Sequence, residues 1–84
     1  MPQVKTGTHQ PLPPPLAETL AATLRARREM ARLTQEDVAA RAGISVQMVR
    51  RLEAGTANPT LGTLHVVAAA LSTTVGSLLA EAGL

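Results

Sequence analysis

Four residues carry most of the chemistry that this sequence offers: Val46, Gln47, Arg50 and Arg51. At about 100° per residue their spacing places them on one side of a helix, with Met48, Val49 and Leu52 on the other. One side can pack; the other, with two guanidinium groups and an amide, can read something outside the protein. The charge distribution points the same way. Seven of the eight basic residues lie between Arg25 and Arg51, against three acids in that window, and beyond Glu53 the only charged residue is Glu81. A basic middle suits a polyanionic partner, although an arginine-rich helix face is often just solvated.

Other chemistries have little to stand on. His9 and His65 are the only histidines, one in a proline-rich segment and one within an apolar helix, and neither has neighbours that form a catalytic triad or a metal set. With no cysteine there is neither a disulfide framework nor a thiolate zinc site. An enzyme is not expected, nor a metal or a cofactor.

The reading side must be positioned by Thr34 to Gly55, TQEDVAARAGISVQMVRRLEAG, which reads as two short helices joined by a tight turn. Thr34 and Asp37 form a Thr-x-x-Asp variant of the capping box, and Gly43 supplies the positive φ at which the first helix stops. Ser45 caps the second helix and Gly55 ends it. Val38, Ala39 and Ala42 pack the first helix, and Ile44 plugs the angle between the two. Gln35 sits in a first turn whose backbone N–H groups lack intrahelical partners, a place where phosphate can bind.

Three further helices are expected around this pair. Leu16, Leu20 and Leu24, with Ala17, Ala21 and Ala31, mark one from Leu16 to Met30. Arg28 projects near its apolar stripe and needs an acceptor if partly buried. Thr60 caps a helix from Leu61 to about Leu71, packing through Leu61, Leu64, Val67, Ala68 and Leu71. Val66 and Ala69 lie on its other side, and such extra apolar surface hints at a partner. Thr74 caps a last helix through Val75, Leu78 and Leu79 to about Glu81. Residues 1–15 hold five of the six prolines and read as a disordered or polyproline-like arm preceding a single domain over residues 16–84. With no aromatic residue, the core is built from aliphatic side chains and alanine, which suits an all-α bundle. No apolar run approaches the ~20 residues of a membrane span, and the proline-rich start has no signal-peptide layout; a cytoplasmic location is expected.

Five helices with a tight second and third, followed by a Gly-x-x-Asn-Pro loop, resemble the phage repressor and Cro-type helix-turn-helix domains of the XRE family. The matching text is Arg28, LTQEDVAARAGIS, VRRLEAG, NPTLGTLHVVAAAL and the closing SLL, covering roughly Leu20 to Leu79. The segment ANPTLGTL is most like the DNA-binding domains of cupin-linked regulators. The resemblance implies a compact, five-helix, lambda-repressor-like fold and a sequence-specific transcriptional regulator of double-stranded DNA. Its recognition helix, residues 46–53, would enter the major groove. There Arg51 would take guanine through O6 and N7, Gln47 adenine through N6 and N7, and Val46 a thymine methyl group. Arg50 would touch phosphate or base, and Gln35, Ser45 and Asn58 would grip phosphates. Arg28 and Glu53 would form a structural salt bridge.

Two departures from the family pattern stand out. Arg32 occupies a position where glycine is frequent, so it must adopt a left-handed conformation or alter the turn. Val66 and Ala69 replace a usually polar face, which favours a homodimer through helices 4 and 5 on an inverted-repeat operator. The rival reading is an antitoxin-type or protein-interaction module with autoregulatory DNA binding.

Overall fold

Five helices make up the regular structure of residues 10–84, the residues that the computed structural model describes: α1 (Pro14–Met30), α2 (Gln35–Ala42), α3 (Val46–Ala54), α4 (Leu61–Ala70) and α5 (Val75–Glu81). No strand occurs among the described residues, and the architecture is the expected all-α one. No single helix there is long and apolar enough to cross a membrane.

Helix α1 begins earlier than its leucine spacing indicates. Pro14 and Pro15 form its first turn, and the N–H groups of Leu16 and Ala17 donate to Pro13 O at 2.9 and 3.0 Å. Proline suits these positions because its ring presets φ and the missing N–H would have no intrahelical acceptor. The expected start at Leu16 is therefore corrected to Pro14. Of the arm expected over residues 1–15, residues 1–9 lie outside the described residues; Leu12, just before α1, packs half-buried against the core.

Hydroxyl caps start the other four helices. Asp37 N donates to Thr34 Oγ1 at 3.0 Å while Thr34 N donates to Asp37 Oδ2 at 2.9 Å, a complete capping box. The bond from the Thr34 backbone N–H, and after it that with the Thr34 hydroxyl, hold the Asp37 carboxyl below the usual carboxylate range. Ser45, Thr60 and Thr74 each accept from the backbone N–H three residues on, at 3.0 to 3.1 Å. Such caps satisfy donors that the helix itself cannot.

Helix ends are equally local, but two use residues that resist the geometry. Gly43 closes α2 at φ 71° with open space around its α-carbon, so conformation alone explains the glycine. Arg32 adopts the same left-handed region at φ 58°, and so does Ser72. After α1, Arg32 N donates to Glu29 O and Leu33 N to Arg28 O, the paired bonds of a Schellman motif. Ser72 and Thr73 repeat the pattern on Ala69 and Ala68.

The core is aliphatic. Leu20, Leu24, Val38, Val49, Leu52, Leu64, Val67, Leu71 and Leu78 are all buried, with Leu78 fully enclosed. Three expected members fall outside it: Leu16 lies at the rim, Ala31 is exposed and Leu61 is 73% exposed. Helix α1 buries Ala17, Leu20, Ala21 and Leu24, an i, i+3, i+4, i+7 stripe that leaves Leu16 on its edge. Leu61 is the first residue of α4, a turn short of the first buried position, Leu64. Helix α4 ends at Ala70, with Leu71 as its buried cap. Helix α5 turns by 90° from α4 and is tied to α1 by Arg27, whose Nε donates to Glu81 Oε1 at 3.0 Å while Nη2 engages Oε2. This contact holds the Glu81 carboxyl below its usual range and raises the Arg27 guanidinium.

Candidate nucleic-acid interface

Helix α3 is fixed from its inner side by one carboxylate. Glu53 is 6% exposed, and an ionised carboxylate at that depth needs donors on both oxygens. Arg28 supplies two, Nε to Oε2 at 2.7 Å and Nη2 to Oε1 at 3.0 Å. Gln35 Nε2 adds a third at 3.1 Å on Oε1. The remaining Arg28 nitrogen, Nη1, donates to Leu33 O at 2.9 Å, and Arg25 Nη1 donates to the backbone carbonyl of Glu53 at 3.1 Å. One residue near the end of α3 thus joins α1, α2 and the α1–α2 turn. The bond to Glu53 raises the Arg28 guanidinium above its ordinary value.

The hydrophobic partners complete the clamp. Val49 and Leu52 are buried in the core, and Ile44, Val46 and Met48 pack half-buried against it. With Gly43 and Ser45 setting the turn, these contacts fix the angle of α3 against α2.

What remains on the outer side is polar. Gln47, Arg50 and Arg51 are exposed. Among the described residues, the Gln47 and Arg51 side chains make no hydrogen bond or ion pair with the protein, whereas Arg50 Nη2 lies 3.4 Å from Glu36 Oε2. Val46 is half-buried, with part of its surface given to the core. Ser45 uses its oxygen as the α3 cap. Asn58, in the α3–α4 loop, donates from Nδ2 to Gln10 O at 3.4 Å, joining that loop to the segment before α1.

The structure thus gathers Val46, Gln47, Arg50 and Arg51 onto one helix, with Ser45 at its start. It turns the Gln35 side-chain amide inward to Glu53, so that Gln35 could offer phosphate only its backbone N–H there. The same first turn of α2 carries Glu36 and Asp37, whose charges oppose an anion. Three participants were not among the sequence candidates. Arg25 shares a helix face with Arg28 three residues on, a local signal that was available; Glu36 and Gln10 meet their partners only through the fold. Elsewhere, a shallow groove of about 560 Å³ is lined by Ala22, Thr23, Ala26, Arg27, Met30 and Glu81, away from α3. No cluster of metal-ligating side chains occurs among the described residues.

Comparison with known proteins agrees with this fold. A family model described as helix-turn-helix, HTH_3, matches residues 24–78. A crystal structure of the clp gene regulator ClgR from Corynebacterium glutamicum is 32% identical over 84% of this chain and 77% of that one, with a TM-score of 0.78. A second ClgR structure is 31% identical over 88% and 92% of the two chains, with a TM-score of 0.75. The hypothetical transcription factor NHTF from Neisseria is 28% identical over 89% and 88%, with a TM-score of 0.72. No curated protein sequence matches the chain.

Proposed function

We propose, for a chain that belongs to the HTH_3 helix-turn-helix family, that it is a DNA-binding transcriptional regulator whose helix α3 enters the major groove. The observation that carries this is the contrast across α3: Glu53 on the inner side is supplied with donors by three residues, while Gln47 and Arg51 on the outer side are exposed and unspent. A guanidinium and an amide on a rigid helix match the donor and acceptor pattern of guanine and adenine edges. Arg51 and Gln47 are the base readers, with Val46 against a thymine methyl group. Arg50, Ser45 and Asn58 contact the backbone, and Gln35 contributes through its main chain. The similarity to a named gene regulator and to a transcription factor supports the same reading.

The active unit in this reading is a homodimer in the cytoplasm. Leu61 and Ala69 are exposed and Val66 is half-buried along α4, and an isologous contact through α4 and α5 would set two α3 helices one helical turn apart, ~34 Å, on an inverted repeat. Sites selected from a random DNA pool, followed by gel shifts, test both statements. The selected duplexes should share an inverted repeat and lose affinity with Arg51→Ala. Binding no tighter to any selected duplex than to random DNA, with Arg51→Ala neutral, would sink the proposal.

A further inference from the structure

Arg50 differs from its neighbours on α3 in already having a partner. Glu36, the second residue of α2, places Oε2 3.4 Å from Arg50 Nη2, with the two side chains 66% and 55% exposed. A carboxylate is an unexpected occupant of a surface meant for a polyanion. The fold has no evident need of it: α2 is capped by Thr34 and Asp37, and α2 and α3 are joined by Gln35 on Glu53 and by packing around Val38 and Val49. An ion pair this exposed is readily given up when a better partner is offered.

We propose, resting on the reading of α3 as the DNA-facing helix, that Glu36 is a specificity-determining residue. Its carboxylate occupies Arg50 in the free protein and repels phosphate, so it weakens binding wherever phosphate contacts are all that a duplex offers. Non-specific affinity is almost wholly electrostatic, so it bears the full effect of one misplaced negative charge and one engaged arginine. A duplex that also satisfies Gln47 and Arg51 has base contacts that the carboxylate does not touch. Glu36 thereby lowers the floor of non-specific binding more than the ceiling of specific binding.

The test uses the whole chain, a duplex selected from a random pool by the unaltered protein, and a random-sequence duplex of equal length, each titrated over a range of salt. Glu36→Gln keeps the shape and removes the charge. It should tighten binding to the random duplex ~3- to 10-fold at low salt and steepen its salt dependence by ~0.9 in log–log slope, the value of one added phosphate contact. Binding to the selected duplex should change less, so the ratio between the two falls. In an Arg50→Ala background the same change should have a smaller effect, because no arginine is released. Thermal melts establish that both variants are folded. If the unaltered protein prefers the selected duplex and Glu36→Gln leaves that preference intact, this inference is overturned and the proposed function stands. If the unaltered protein shows no preference at all, both fall.

Discussion

The two sides of helix α3 treat charge in opposite ways. Inward, Glu53 is buried with Arg28 and Gln35 on its carboxylate and Arg25 on its carbonyl, and each of the three guanidinium nitrogens of Arg28 donates to a protein oxygen. Outward, the Arg51 and Gln47 side chains make no hydrogen bond or ion pair among the described residues, and Arg50 has one loose partner. A polar group whose bonds are all made within the chain specifies the fold. One that is held in place by packing alone remains available to something else. The difference teaches that the inner network is what makes the outer face readable, since a reading helix that could roll would present a different side chain at each angle.

Breaking the inner side should have the largest effect. Glu53→Ala leaves the Arg28 guanidinium buried without its carboxylate, which costs on the order of 3–5 kcal/mol. In a domain this small that removes much of the total stability, so urea denaturation should show a large drop in midpoint or no folded baseline. Breaking the outer side should leave stability alone: Arg51→Ala should alter the urea midpoint by no more than about 0.5 kcal/mol equivalent while costing about 1–3 kcal/mol in binding to a selected duplex. If Arg51→Ala destabilised as Glu53→Ala does, the division between the two sides would be wrong. A smaller change sharpens the comparison. Arg32 is held at φ 58°, where a side chain costs about 1–2 kcal/mol relative to glycine's freedom, so Arg32→Gly should raise the melting temperature. Part of that gain is offset by glycine's greater entropy in the unfolded chain.

The smallest effect concerns pH. Asp37 and Glu81 both have carboxyls held below the ordinary range, by the Thr34 amide and by Arg27. A depressed carboxyl stabilises the fold fully above its unfolded value, near 4, and loses that contribution as pH falls through the folded value. Both groups are at the surface, so melting temperature should be flat from neutral pH down to about 5 and decline below about 4. Glu81→Gln should flatten part of the decline, measurable by circular dichroism.

Much of the frame was legible because its signals are local. Thr34 with Asp37, Ser45, Thr60 and Thr74 each cap the backbone three residues on, and an i to i+3 relation can be read without knowing the fold. Arg32 stands out as a conflict against the family pattern, whereas nothing comparable in the sequence marks Ser72, which shares its conformation. Periodicity identified which side of α1 and α4 packs but not how far the core reaches, so Leu16 and Leu61 were expected inside and lie outside. The pairings that complete the candidate site join residues far apart in the chain. Gln35 meets Glu53 across 18 positions, Arg50 meets Glu36 across 14 and Asn58 meets Gln10 across 48. No spacing rule reaches so far. Arg28 with Glu53 was foreseeable only through resemblance, since 25 positions separate them.

The clasp between Arg27 and Glu81 spans 54 positions, about twice the separation that the buried Arg28–Glu53 pair closes. Doubling a loop adds only about 0.6 kcal/mol of closure entropy, so the two bonds differ little in thermodynamic cost; they differ in how much of the chain each requires. Arg28 reaches its partner within the first three helices, while its neighbour Arg27 needs the chain through the last residue of α5. Adjacent arginines on one helix turn thus close two spans of different length, the first holding α3 and the second holding the last helix onto the first.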